Sequence, residues 1–197
     1  PKNYFHFRHF LNFIFFFVGS IFFYKLLLNR FSNYNVALIG ALFYILSPRI
    51  YGNSFYNNKD IVFLSLITIA LYYCFKALEK PSNKNLLLFS IFAAIATSSR
   101  IVGIFLPLSF VSFYFLSVLS NKKNLDNFLS IAFFFVFYFI FTISLWPALW
   151  SGPIENFILA FKGFSRYSFI EIRMLFDGTY VYTNFLPYNY IFTWIFI

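Results

Sequence analysis

Long apolar runs separated by short polar stretches set the pattern of this chain, and run length tests whether each can cross a membrane. A spanning helix takes about 20 mostly apolar residues, each advancing about 1.5 Å through about 30 Å of hydrocarbon. The first run extends from about Phe10 to Leu28. The second goes from about Tyr34 to Leu46 and stops at Ser47-Pro48, after which Gly52 and the asparagines predict a polar surface turn, and the third starts at Asp60 or Ile61 and continues to about Leu78. Pro81 to Leu119 is nearly twice the length of one crossing, so it predicts two helices broken at "TSSR", Thr97 to Arg100. Pro81 then falls in the first helical turn, where its missing N–H costs nothing. A sixth run spans about Phe128 to Leu145 and ends at "LWPALW", which has the look of an interfacial anchor.

The remaining polar-aromatic stretch, about 151–189, contains "IENFILAFKGF", whose apolar Ile154, Phe157, Ile158 and Phe161 recur at helical spacing. That pattern predicts an amphipathic helix lying on the surface. A seventh run starts at about Tyr190. The expected fold is all-α: one polytopic membrane domain over 1–197 with about seven spanning helices. Because the sequence starts at Pro1 and stops inside an apolar run, it is expected to be a fragment of a longer protein.

Composition agrees with the runs. The chain is 61% hydrophobic and 27% aromatic but only 11% charged, outside the range of soluble domains. Its net charge of +9 is spread singly between apolar runs rather than along a groove, which excludes nucleic acid as a partner. Cys74, alone inside an apolar run, gives neither a disulfide nor a metal site. Phe, Ile, Asn, Lys and Tyr are over-used throughout, so a single Phe or Asn carries little weight.

Charge also suggests orientation. One set of connections carries Lys25, Arg30, Lys76, Lys80, Lys84, Lys122 and Lys123, a density in short loops that marks the cytoplasmic side. The other side gathers Lys2, His6, Arg8, His9, Arg49, Lys59, Asp60 and Arg100, then Glu155, Lys162, Arg166, Glu171, Arg173 and Asp177, so the basic totals are nearly equal and only the short loops distinguish the faces. Polar chemistry therefore concentrates on the second face.

Several residues there admit two readings. Asp60, directly after "NNK", reads as a first-turn carboxylate with Asn57 or Asn58 as cap, or as a carboxylate that orients an acceptor or ligates a divalent metal. The readings are compatible, since a capped helix start is a rigid mount. Arg49 and Lys59 read as snorkelling to lipid phosphates or as contacts for a phosphate ligand. Arg100 is harder to dismiss, because a turn between helices needs no arginine and a guanidinium offers paired donors to a phosphate. His9 and Tyr56 are accessory candidates. His6 and His9 are too few to hold a metal alone. Glu171 and Asp177 are as readily solvated as functional. No glycine-rich phosphate loop, nucleophile elbow or zinc motif is present.

Together, "FHFRHFLNF", "LSPRIYGNSFYNNKDIVF", "LEKPSNKN", "SSRIVGI", "LWPALW" and "LPYNYIFTWI" resemble bacterial membrane glycosyltransferases of the GT-C type. Within that type the resemblance is to the family 39-like group related to dolichyl-phosphate-mannose protein mannosyltransferases and the aminoarabinose transferase. It implies an integral enzyme of the bacterial inner membrane that takes a sugar from a polyprenyl-phosphate donor. The sugar passes, with inversion, to an acceptor on the extracytoplasmic side. Under the resemblance, Asp60 matches an acidic residue at the start of a later helix and Arg100 a basic position facing the lipid phosphate, with Arg49 and Lys59 assisting. A further acidic residue of the family would lie upstream of "HFRHF", so this fragment alone is expected to be inactive. Asn53 stands where some relatives have a histidine or an acid. Partners are the sugar donor and membrane lipids; the acceptor and the cofactor stay open, a divalent metal being the candidate. The alternatives are a transporter or lipid flippase, which places ionisable groups near the midplane, and a non-catalytic membrane subunit.

Overall fold

A computed structural model describes residues 2–119, 128–165 and 172–196. Its elements run α1 (Lys2–Phe31), α2 (Tyr34–Leu46), α3 (Pro48–Tyr56), α4 (Asp60–Glu79), α5 (Asn83–Ser99), α6 (Phe105–Leu119), α7 (Phe128–Leu145) and α8 (Pro153–Ser165). They continue with β1 (Arg173–Phe176), β2 (Thr179–Tyr182) and α9 (Tyr190–Phe196). Packing divides the chain into two compact units, Pro1–Asn156 and Phe157–Ile197.

The first unit is helical, and its principal packed pairs are α4 with α5, α5 with α7, and α1 with α4. Three fully buried alanines of α5, Ala93, Ala94 and Ala96, let its neighbours approach closely, the role that small residues serve between membrane helices. Phe89 fills the adjacent layer and stacks on Phe134 of α7 with ring centroids 4.5 Å apart. One polar tie crosses this core: the hydroxyls of Thr97 and Tyr138 lie 2.9 Å apart.

Most helix boundaries follow the apolar runs, but α1 begins at Lys2 rather than near Phe10, and α5 begins at Asn83 with Ser82 as its cap, which leaves Pro81 outside the first turn. α2 stops at Leu46 and α4 starts at Asp60, as the pattern predicts. α5 ends at Ser99 within "TSSR", and α7 covers Phe128–Leu145. By helix length, fewer stretches qualify as spans among the described residues than the runs suggest. Three described helical stretches are long and apolar enough to span: Asn3–Phe31, Asp60–Glu79 and Ile101–Leu119. A fourth arises if α2 and α3, bent by 60° at their junction, form one broken span. The other apolar helices are shorter: α5 stops after 17 residues and the apolar part of α7, Leu129–Leu145, is of similar length. The expected seven spans are therefore not matched by helix length among the described residues.

A second difference concerns 48–56, expected as a polar turn. It is a helix. Pro48 occupies the first turn, where its fixed φ favours helix. Asn53 Nδ2 donates to Arg49 O at 2.8 Å and Ser54 Oγ to Tyr51 O at 2.7 Å, so polar side chains are satisfied along the helix itself.

The second unit contains a feature outside an all-α reading. β1 pairs antiparallel with β2, Phe176 opposite Thr179. The connecting residues Asp177 and Gly178 have φ of 48° and 76°, both left-handed as a two-residue hairpin turn requires. Asp177 is thus a turn residue. Glu171 lies outside the described residues. The amphipathic run does form helix, as α8.

Candidate active site

Residues singled out in sequence converge at one end of the first unit, where the N-termini of α1 and α4 meet the C-termini of α3 and α5. Asp60 is the first residue of α4, where a carboxylate is favoured by the positive end of the helix dipole. Asn57 caps this start: its Oδ1 accepts from the N–H of Asp60 at 2.9 Å and of Lys59 at 3.3 Å. Its Nδ2 donates to Asp60 Oδ2 at 2.7 Å. The other carboxylate oxygen, Oδ1, takes the guanidinium of Arg100 in an ion pair. Both oxygens are thereby oriented.

Arg100 reaches this position because α5 ends one residue earlier and the chain becomes extended, with φ −148° and ψ 130°. Its N–H is held by Ala96 O at 2.9 Å and its carbonyl accepts from Gly103 N–H at 2.8 Å. The turn is tight enough to need a glycine. A Cβ at residue 103 would fall 2.5 Å from Thr97 N and 2.7 Å from Ala96 C, both backbone atoms. The guanidinium also lies 6.0 Å from the centroid of the Phe63 ring.

The side chains of Arg100 and Asp60 are 41% and 57% exposed, so water screens their attraction. Such a pair contributes about 0–1 kcal/mol to stability. Holding the fold together is therefore not the main consequence of this pair.

The remaining candidates make their described contacts elsewhere than on this pair. His9 Nδ1 lies 2.6 Å from Phe55 O, and its ring meets Tyr56 edge-on at 5.0 Å. Arg8 donates to Asn58 Oδ1 at 3.0 Å, tying α1 to the loop that leads into Asp60. Arg49, on the first turn of α3, and Lys59, beside Asp60, are exposed. The geometry brings Asp60 and Arg100 together and His9 and Tyr56 together.

Asn12, one polar residue within an apolar run, was not among the candidates. It is buried, donates to Ser54 O at 2.8 Å and more weakly to Asn53 O at 3.5 Å, and its Oδ1 has no hydrogen-bond partner. A buried acceptor left unpaired costs roughly 1–3 kcal/mol. Its signal in the sequence is the interruption "FLNFIFFF" itself.

Among the described residues no three of His, Cys, Asp and Glu come together as a metal site. A groove of about 660 Å³ opens at the opposite end of the unit, walled by Leu26, Leu27, Phe75, Leu78, Phe113 and Leu116. Its polar members Asn29 and Glu79 are bonded to each other, at 3.0 and 2.9 Å.

No curated protein and no solved structure matches the chain. The sequence model of the dolichyl-phosphate-mannose-protein mannosyltransferase family, of GT-C type, matches residues 8–146. The matched range runs from Arg8 through Asp60 and Arg100 to Trp146, taking in every residue of the cluster. With well over half of its length matched, this chain belongs to the dolichyl-phosphate-mannose-protein mannosyltransferase family of membrane glycosyltransferases.

Proposed function

We propose that the protein transfers a sugar from a polyprenyl-phosphate donor to an acceptor at the extracytoplasmic face of a bacterial inner membrane, inverting the anomeric carbon. The observation that carries this reading is the Asp60–Arg100 ion pair at one end of a helical unit of this family. In the transfer, an acceptor hydroxyl or amine attacks the anomeric carbon, the bond from that carbon to the lipid phosphate oxygen breaks, and the acceptor gives up a proton. Negative charge builds on the departing phosphate, so a donor group aimed at it lowers the barrier. Arg100 fills that role through its paired N–H groups.

The pair also supplies an order of events. When Arg100 turns to the donor phosphate, Asp60 Oδ1 is released while Oδ2 stays on Asn57. The released oxygen receives the acceptor's hydrogen and orients it for attack. Lys59, beside Asp60, and Arg49 of α3 are assigned as assisting phosphate contacts, and His9 and Tyr56 as accessory residues. The basic residues in the short connections at the other end support a cytoplasmic assignment for that end. Transporters place ionisable groups near the bilayer midplane; Asp60 and Arg100 stand at helix ends, which favours transfer.

The test is sugar transfer by the full-length protein in proteoliposomes, using a panel of polyprenyl-phosphate hexoses and scoring the stereochemistry of the product. Donor-dependent transfer with inversion is expected. Absence of transfer from every donor, in protein shown to be folded, contradicts the reading.

A further inference from the structure

The last four carbonyls of a helix have no partner within it, and in a membrane setting few alternatives exist. For α3 those carbonyls belong to Asn53, Ser54, Phe55 and Tyr56. The chain just beyond α3 satisfies two: Asn57 N–H donates to Asn53 O at 2.9 Å, and Asn58 N–H to Tyr56 O at 3.2 Å. The middle two take their donors from α1. Asn12 Nδ2 reaches Ser54 O at 2.8 Å, and His9 Nδ1 reaches Phe55 O at 2.6 Å. Residues 9 and 12 lie three apart on α1 and so share a face. From the preceding position Arg8 extends the same hold to Asn58.

We infer that His9 and Asn12 are positioning residues for the transfer reaction, a clamp from α1 on the C-terminal carbonyls of α3 that sets the Asn57–Lys59 loop and hence the place of Asp60 against Arg100. A backbone carbonyl only accepts, so the short contact requires His9 to carry its proton on Nδ1. A second feature supports the assignment. Asn12 is buried and leaves its own Oδ1 without a partner, so what the residue supplies is its amide donor to α3. The inference rests on the transferase reading for its kinetic consequence, but the clamp itself is observable without substrate.

The experiment uses the full-length protein with His9→Leu, Asn12→Leu, the double variant and His9→Asn, whose side-chain amide can donate from nearly the place of Nδ1. Each leucine variant is expected to lower kcat by about 100-fold, the order that a small misplacement of a reacting group brings. KM for the donor should change less than about threefold, because Arg100 is mounted on α5. Since both residues hold one element, the double variant should be little worse than either single one, and His9→Asn should recover most of the loss. Rates are taken per folded protein, from thermal melts.

Without substrate, amide exchange over 57–61 should speed up in the leucine variants and not in His9→Asn. In a His6→Gln background, ¹⁵N NMR should find the His9 proton on Nδ1. His9→Asn as defective as His9→Leu, or full additivity in the double variant, overturns the clamp. So does unchanged exchange, or a His9 proton on Nε2 alone. If the protein transfers no sugar, exchange and NMR still decide the clamp. If they reject it, the transferase reading stands or falls on the transfer assay.

Discussion

Helix α4 carries a carboxylate at each end, and their partners differ. Glu79, its last residue, receives the neutral amide of Asn29 on both oxygens at 3.0 and 2.9 Å. It also sits where the helix dipole disfavours negative charge, with Lys76 one turn back. Asp60, its first residue, receives a guanidinium on one oxygen and an amide on the other. The amide at Glu79 fastens α1 to α4 and has no charge to give to a ligand. At Asp60 the partner is a cation, which under the proposed mechanism moves to the donor phosphate and leaves a carboxylate still held by Asn57. Two carboxylates on one helix therefore have different partners, and the proposed mechanism gives them different uses.

The comparison is broken most severely at Asp60. Asp60→Asn should reduce transfer by about 100-fold or more, the usual scale for losing a group that handles the acceptor's proton. Insertion and folding should be retained, as circular dichroism and size exclusion would report. Transfer rates near those of the unmodified protein would remove Asp60 from the mechanism.

A smaller effect is expected from the turn that presents Arg100. Gly103→Ala drives a methyl group into the backbone of Ala96 and Thr97 and should destabilise the protein by about 1–3 kcal/mol, with reduced donor affinity. Gly52→Ala in α3, where an added Cβ meets nothing within 4 Å, should instead be neutral or stabilise by about 0.5–1 kcal/mol. Denaturation in detergent micelles separates the two. Equal responses would mean that the Arg100 turn is looser than its backbone distances require.

The smallest effects belong to the opposite end. Glu79→Gln, at an exposed position, should change stability by about 0.5 kcal/mol or less and Asn29→Ala, half-buried, by about 0.5–1.5 kcal/mol, both leaving transfer within about twofold. A large loss of transfer in either would erase the distinction between the two ends.

Much of this was legible in the sequence. Run length and proline placement located the end of α2, the start of α4 and the break before Arg100, because those boundaries depend on local chemistry and bilayer thickness. Asp60 and Arg100 were assigned to one face by counting crossings. Their direct pairing was not readable, since it depends on how α4 packs against α5. Residues 48–56 were misjudged as a turn because Gly52 and its neighbouring asparagines weaken a helix locally. The C-terminal carbonyls of that helix are held by side chains some 40 residues away in sequence. Asn12 was overlooked for the reason that single asparagines were discounted in a chain rich in them. Asp177-Gly178 is a strong hairpin signal, but the strands it joins are only four residues each and lie in a polar-aromatic stretch without a clear alternation. Seven apolar runs exceed the three or four stretches that qualify by length among the described residues, because α5 and the apolar part of α7 are each shorter than a full crossing.

The central claim is that Arg100 serves the donor phosphate while Asp60 restrains it until the donor arrives. Binding of a polyprenyl phosphate to the full-length protein, measured beside turnover for Arg100→Gln and Asp60→Asn, tests this most directly. Arg100→Gln should weaken binding by about tenfold or more. Asp60→Asn frees the guanidinium, so it should bind the lipid phosphate at least as tightly as the unmodified protein while losing turnover. Weakened binding in both variants, or retained turnover in Asp60→Asn, would contradict the account.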